Sequence, residues 1–123
     1  MIAGIGVDTA SVSRVGKSIQ HPGFAQKVYG PAERAMLAEK GNRPQTAAAN
    51  FAAKEAFGKA LGTGLLHDFA LHEAEALRDE NGAPYFAFSG RAAAVMERRG
   101  LKAHLSLTHE GGFATAFVVL EQR

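Results

Sequence analysis

Residues 51–64 read Phe-Ala-Ala-Lys-Glu-Ala-Phe-Gly-Lys-Ala-Leu-Gly-Thr-Gly and predict an alanine-rich helix that runs into a glycine-bracketed turn. With about 3.6 residues per turn, Phe51, Glu55 and Lys59 share one face of this helix. Small residues lie beside that face, at alanines 49, 52, 53, 56 and 60, and let the backbone of a second element approach closely. A carboxylate and an ammonium one turn apart, followed by Gly62-Thr63-Gly64, suit a metal-bound phosphate.

The same segment also has a purely structural interpretation. Glu55 and Lys59 are spaced as an ordinary ion pair on a helix surface, which contributes only about 0.2–0.5 kcal/mol. Gly62 is equally typical of the left-handed residue that ends a helix. The segment alone does not decide between the two interpretations, so other parts of the chain must.

Length and composition predict one folded domain over residues 1–123. About half of the residues are apolar (46%) and 21% are charged, as in ordinary globular proteins. The chain has no cysteine, which excludes a disulfide framework and a zinc–thiolate site. The apolar opening, residues 1–7, is too short for a signal peptide or a membrane span, so we expect a cytoplasmic protein without a membrane partner.

The net charge of +2 is small, but the basic residues are unevenly distributed. No carboxylate lies between Asp8 and Glu33, a stretch that contains Arg14, Lys17, His21 and Lys27. Such a surface attracts anionic partners, and charge alone allows a nucleic acid, a membrane surface or an acidic protein. Aromatic residues do not alternate with the basic ones, which disfavours single-stranded nucleic acid.

The hydrophobic pattern predicts an α+β fold. We expect a single domain with N-terminal helices, including one long central helix, packed on an antiparallel sheet. The first half predicts a strand over 2–7, helices over 12–19, 24–29 and 31–37, and the long helix from Pro44. The second half predicts strands over 69–77, 85–88, 103–108 and 113–120, a hairpin turn at 79–82, and a helix from Ser89 to Arg99.

Two carboxylates are candidates for a metal site. Asp8 follows the first strand, where it is also suited to cap the next helix. Together with Glu55 it offers two hard oxygen ligands, which are too few for a closed calcium cage. They suit Mg²⁺, which retains water and takes phosphate oxygens as further ligands.

The histidines give a weaker signal. His109 ends a strand before a Glu-Gly-Gly turn, a position more typical of a surface residue than of a catalyst. Ser106 and His109 do not indicate a hydrolase, because the chain has no Gly-x-Ser-x-Gly elbow. His67, His72 and His104 lack the spacing of a transition-metal site.

Four motifs, in this order, resemble the holo-[acyl-carrier-protein] synthase family of 4′-phosphopantetheinyl transferases over essentially the whole chain. They are Ile5-Gly6-Val7-Asp8 with Arg14, Phe51-Ala52-Ala53-Lys54-Glu55-Ala56 with Lys59 and Gly62-Thr63-Gly64, Asn81-Gly82-Ala83-Pro84, and Leu105-Ser106-Leu107-Thr108-His109. The chain departs from the family at Asn50, where an arginine usually stands. It departs also at Gly30-Pro31-Ala32, which replaces a Ser/Thr-containing helix start.

The resemblance implies transfer of 4′-phosphopantetheine from coenzyme A to a serine of apo-acyl carrier protein. The other product is adenosine 3′,5′-bisphosphate, and the reaction supports fatty acid biosynthesis. The resemblance implies Mg²⁺ at Asp8 and Glu55, with Lys59 as a third catalytic residue against the diphosphate. The implied coenzyme A contacts are Lys59, Gly62, Thr63, Gly64, Thr108 and His109.

The resemblance also implies macromolecular partners. Arg14, Lys17, Phe24 and Lys27 would contact the acidic carrier protein, and the family forms homotrimers with active sites at subunit interfaces. Three bases for the serine remain open: Asp8, His109, and Glu55 through a metal-held water, which we favour. The alternative is a non-catalytic module that binds coenzyme A or an acidic protein, suggested by Asn50; a nucleic-acid-binding protein ranks third.

Overall fold

Five helices and five strands form the described part of the chain, residues 1–62 and 69–123 of the computed structural model. In chain order they are β1 (Ile2–Ser11), α1 (Val12–Ser18), α2 (Pro22–Val28), α3 (Pro31–Glu39), α4 (Pro44–Leu61), β2 (Ala74–Arg78), β3 (Pro84–Phe88), α5 (Gly90–Arg99), β4 (Leu101–Glu110) and β5 (Phe113–Gln122). The predicted fold class is confirmed, with helix α4 against an antiparallel sheet. No helix in the described ranges is long and apolar enough to cross a membrane.

The main sheet has the strand order β1-β5-β4, with both pairs antiparallel. Strands β2 and β3 form a separate hairpin around the predicted turn, where the Asp79 carboxylate accepts the backbone N–H groups of Asn81 and Ala83. Because β1 is the first strand and β5 the last, the sheet joins the two ends of the chain.

Two predicted strands differ most from the structure in their bounds. β1 continues beyond Val7 to Ser11, because its polar end pairs with the start of β5. The strand predicted over residues 69–77 begins only at Ala74. Leu71–Glu73 instead form a 3₁₀ turn, in which the Glu73 carboxylate accepts the N–H of Ala70 at 2.8 Å.

Helix α4 lies directly on the backbone of β1. A side chain at Gly4 would collide with the carbonyl oxygen of Ala60, and one at Gly6 with that of Ala56. Glycine on the strand and alanine on the helix therefore permit a backbone-to-backbone approach, as the alanine surface predicts. This approach sets the position of the α4 residues relative to Asp8, which is two residues beyond Gly6 on the same face of β1.

A buried polar cluster fixes the neighbouring face of α4. Glu33, Asn50 and Lys54 are fully buried, and Lys54 Nζ donates to Glu33 Oε1 at 2.6 Å and to the Ala74 carbonyl oxygen at 2.7 Å. Glu33 also accepts the N–H of Gly30 and of Ala76, so it begins α3 and holds β2 as well. Burial raises the pKa of Glu33 and lowers that of Lys54, and the attraction between the two groups opposes both shifts.

Aromatic rings pack the β2–β3 hairpin against the C-terminal half of α4. The centre of the buried Phe57 ring lies 5.0 Å from that of Phe69 and 4.9 Å from that of Phe88. The hairpin, α3 and the sheet thus each contact α4, which leaves the helix little freedom to rotate.

Candidate active site

Asp8 and Glu55 meet where β1 passes α4. Both side chains line one cavity, although 46 residues separate them in sequence. Burial raises the pKa of Glu55, the neighbouring Asp8 carboxyl raises it further, and the nearby Lys59 opposes the shift. Two carboxyl groups this close repel each other when both are ionised, so the site favours a proton or a cation between them.

Asp8 does not cap the following helix. The side chain of Ser11 has that role, since its oxygen accepts the N–H of Arg14 at 3.3 Å. The Asp8 carboxylate faces α4 instead, which removes the capping interpretation of this residue.

Lys59 pairs with Asp8 rather than with its helix neighbour Glu55. Its ammonium donates to Asp8 Oδ1 at 3.0 Å and to the Val7 carbonyl oxygen at 3.1 Å. Lys59 therefore forms its ion pair across to β1, and not the ordinary helix ion pair with Glu55 that the sequence spacing allows. The three charged groups form one cluster that connects β1 with α4.

The oxygen atoms at this site fit a divalent cation that is only partly held by protein. Within residues 1–62 and 69–123, no group of three or more His, Cys, Asp or Glu side chains is arranged to hold a metal ion. Two carboxylates suit Mg²⁺, which fills its remaining positions with water and phosphate oxygens.

A cavity of about 350 Å³ opens beside the carboxylates and also contacts predicted partner residues. Arg14, Phe24 and Phe51 line it together with Asp8 and Glu55. The structure thus brings Arg14 and Phe24 to the candidate site. Two further predicted contacts lie outside this cavity: Lys17 lines a groove beside Pro44, and Lys27 is exposed on the last turn of α2.

Gly62 ends α4 in the left-handed conformation, with φ of 84°. Its N–H donates to the Lys59 carbonyl oxygen at 3.0 Å, so this amide is already used by the helix and is not a free donor for phosphate. The coenzyme A contact expected at Gly62 stays a prediction. Thr63 and Gly64 lie outside the described residues.

Thr108 and His109 lie elsewhere in the same chain. They line a second cavity, of about 270 Å³, that shares no lining residue with the first. Sequence reasoning missed the basic residues here: Lys40 and Arg78 line this cavity, and Arg43 lines an adjoining one. A signal was available for Arg78, which directly precedes the turn containing the Asn81-Gly82-Ala83-Pro84 motif.

Asn50 is fully buried, so it does not itself contact a ligand in the second cavity. Its amide nitrogen donates to Glu33 Oε2 and to the Ala76 carbonyl oxygen, both at 2.9 Å. Its oxygen accepts Arg78 Nη2 at 2.8 Å. Burial lowers the pKa of Arg78 and the charge of Glu33 opposes this, but a guanidinium remains charged in proteins.

The sheet face opposite α4 is apolar and uncovered in the single chain. Ile5, Val7, Phe113 and Phe117 lie on it and are between 45% and 62% exposed. Val7 and Phe117 are directly paired, and Thr108 belongs to the same face through its pairing with Thr115. A contiguous apolar patch of this kind is typical of a protein interface.

The family model described as the 4′-phosphopantetheinyl transferase superfamily matches residues 4–118. The chain belongs to this superfamily. Among its curated relatives, the holo-[acyl-carrier-protein] synthase of Aromatoleum aromaticum is 41% identical over 125 aligned residues, which cover 100% of each chain. That of Myxococcus xanthus is 43% identical and covers 99% of this chain and 97% of the relative.

Solved structures of the superfamily share the fold. A holo-[acyl-carrier-protein] synthase from Neisseria meningitidis is 32% identical, covers 99% of this chain and 100% of its own, and superposes with a TM-score of 0.90. Another, from Bacillus anthracis in complex with CoA (3′,5′-ADP), is also 32% identical. It covers 100% of this chain and 99% of its own, and has a TM-score of 0.82. The resemblance read from the motifs is confirmed at the level of family and fold.

Proposed function

We propose that the protein is a holo-[acyl-carrier-protein] synthase, which transfers 4′-phosphopantetheine from coenzyme A to a serine of apo-acyl carrier protein. The observation that carries the proposal is the meeting of Asp8, Glu55 and Lys59 beside a cavity that Arg14 and Phe24 also line. The relatives named above support it, since each is a synthase of this kind. The reaction serves fatty acid biosynthesis in the cytoplasm.

Asp8 and Glu55 would hold one Mg²⁺ through their carboxylate oxygens. When bound, Mg²⁺ supplies charge neutralisation at the diphosphate of coenzyme A and at the leaving group. Burial raises the pKa of Glu55 most, and the charge of Asp8 raises it further. A cation relieves the repulsion between the two carboxylates, which supports this assignment.

Lys59 would bind the diphosphate directly. Its ammonium is largely exposed while it contacts Asp8, so it can reach an anion at the mouth of the site.

In the transfer step, the serine oxygen forms a bond to the phosphorus that carries pantetheine, and the bond from that phosphorus to the departing adenosine 3′,5′-bisphosphate breaks. The serine proton goes to a base of the Asp8–Glu55 pair, directly or through water.

The carrier protein would approach across α1 and α2. This part of the chain has no carboxylate between Asp8 and Glu33, and it presents Arg14, Lys17 and Lys27 to an acidic partner. Phe24 adds an apolar contact next to the cavity that holds the carboxylates.

We further propose a homotrimer whose active sites lie between subunits. The separation of Thr108 and His109 from Asp8 and Glu55 within one chain supports this, as does the uncovered apolar sheet face on which Thr108 lies.

Sedimentation equilibrium tests the homotrimer and should give three times the chain mass. Phe117→Asp should yield folded monomers without transfer activity, whereas Tyr85→Asp, at an exposed aromatic on β3, should leave the assembly intact; trimers of both variants would contradict the interface.

Intact-mass measurement tests the reaction itself. Incubation with apo-acyl carrier protein, coenzyme A and Mg²⁺ should add one phosphopantetheine group to the carrier protein, and omission of Mg²⁺ with a chelator present should prevent it. A non-catalytic module would bind coenzyme A and leave the carrier mass unchanged.

A further inference from the structure

Arg78 is held in a fixed orientation by a buried amide. Because the Asn50 nitrogen donates to Glu33 and to the Ala76 carbonyl oxygen, its oxygen must face the other way, toward Arg78 Nη2 at 2.8 Å. Arg78 Nη1 also donates to the Leu77 carbonyl oxygen at 3.2 Å. A guanidinium has five N–H donors, so these two contacts orient it and leave others for a ligand.

The cavity that Arg78 lines is basic. Lys40, Thr108 and His109 line it as well, and none of its described lining residues is Asp or Glu. The charge of Glu33 acts on Arg78, but that carboxylate is buried and bonded to Lys54. Within residues 1–62 and 69–123, no ion pair engages Arg78. A bidentate guanidinium beside a lysine and a histidine fits a phosphate monoester.

We propose that Arg78, oriented by Asn50, binds the 3′-phosphate of coenzyme A. The inference rests on the proposed function and names a residue that binds its substrate. Strand β2 thereby supplies the guanidinium, and the buried Asn50 on α4 orients it.

The choice of phosphate follows from the two cavities. The diphosphate of coenzyme A is assigned to Asp8, Glu55 and Lys59, and the cavity beside these residues shares no lining residue with that of Arg78. Coenzyme A carries one other phosphate, the 3′-phosphate of its ribose. In the homotrimer proposed above, one molecule would span the first cavity of one copy and the second cavity of the next.

Steady-state kinetics with two substrates tests the assignment. Arg78→Gln should raise the KM for coenzyme A about 10- to 100-fold, the effect of losing charge-assisted hydrogen bonds, with kcat within about twofold. With dephospho-coenzyme A, which lacks the 3′-phosphate, wild type and variant should have the same KM. Arg98→Gln removes the same charge from an exposed site on α5 and should change neither value.

Calorimetric binding gives a readout that does not depend on turnover. Arg78→Gln should weaken binding of adenosine 3′,5′-bisphosphate and leave that of adenosine 5′-monophosphate unchanged, and Arg78→Lys should give an intermediate loss. Equal losses for both nucleotides, or no loss for either, would overturn the inference even where the variant melts at a lower temperature. A wild type that makes no holo-protein would defeat the proposed function, while the nucleotide comparison would still decide the role of Arg78.

Discussion

Two lysines of helix α4 form ion pairs of opposite character. Lys54 contacts Glu33 at 2.6 Å with both side chains 0% exposed, whereas Lys59 contacts Asp8 at 3.0 Å with side chains 58% and 13% exposed. The buried pair is surrounded by further hydrogen bonds from Asn50 and from the backbone of β2. The exposed pair borders Glu55 and open solvent.

The contrast between the two pairs separates the face of α4 that stabilises the fold from the face that forms the site. An exposed ion pair contributes about 0–1 kcal/mol, so stability alone does not account for Lys59. A buried charge without its partner is strongly destabilising, so Lys54 and Glu33 depend on each other. Lys54 and Glu55 are adjacent in sequence, and the rotation of about 100° between them separates the two roles.

The largest expected effect comes from breaking the buried pair. Lys54→Met should lower the free energy of unfolding by about 3–5 kcal/mol, because Glu33 keeps its burial and loses its counter-charge. Urea denaturation measures the loss. Lys59→Met is the matched control on the same helix and should lose less than about 1 kcal/mol; similar losses in both variants would contradict the division between the faces.

Glu55→Gln should have the opposite profile, with a large effect on transfer and none on the fold. A neutral amide is a poor Mg²⁺ ligand, so we expect kcat/KM to fall on the order of 10²–10³-fold. The control is Glu97→Gln, an exposed carboxylate on α5, which should retain full activity. Full activity of Glu55→Gln in the mass assay would remove Glu55 from the site.

Glu55 also gives the wild type a pH-dependent stability that Glu55→Gln lacks. The raised pKa of Glu55 means that the folded protein holds this proton more tightly than the unfolded chain does. That contribution is present below the ordinary carboxyl pKa and is lost as pH rises through the folded value. Without metal, wild type should therefore lose stability relative to Glu55→Gln as pH rises from acidic to neutral, and parallel thermal melts across pH would contradict this.

The exposed face of α4 was easier to predict from the sequence than the buried one. The long helix follows from its alanines, from Pro44 at its start and from Gly62 at its end, and the motifs indicated that Asp8 and Glu55 meet. The helix signals are local, and the meeting of Asp8 and Glu55 followed from the resemblance. The cluster of Glu33, Asn50 and Lys54 depends on contacts between residues far apart in sequence, and a polar residue gives no periodic sign that it will be buried.

The second cavity escaped prediction for a related reason. Thr108 and His109 were assigned to coenzyme A by resemblance, but nothing in their spacing shows that they lie apart from Asp8 within one chain. The sequence shows Asn50 only as a departure from the family that the chain resembles. Only its hydrogen bond to Arg78 shows that a guanidinium is present beside it, delivered by another strand.

Arg14→Glu should have the smallest effect of these variants, and it tests the exposed surface beside α4. Arg14 lines the cavity of the carboxylates, and its charge would act on an acidic partner across solvent rather than through a buried contact. The KM for carrier protein should rise about 3- to 10-fold, a range typical of exposed charge pairs, with the KM for coenzyme A and the stability unchanged. The rise should shrink with added salt, because screening weakens exposed charges most. Arg98→Glu makes the same charge reversal away from the site. An equal rise of the KM for carrier protein in both variants would mean that net charge alone attracts the carrier protein, rather than the face formed by α1 and α2.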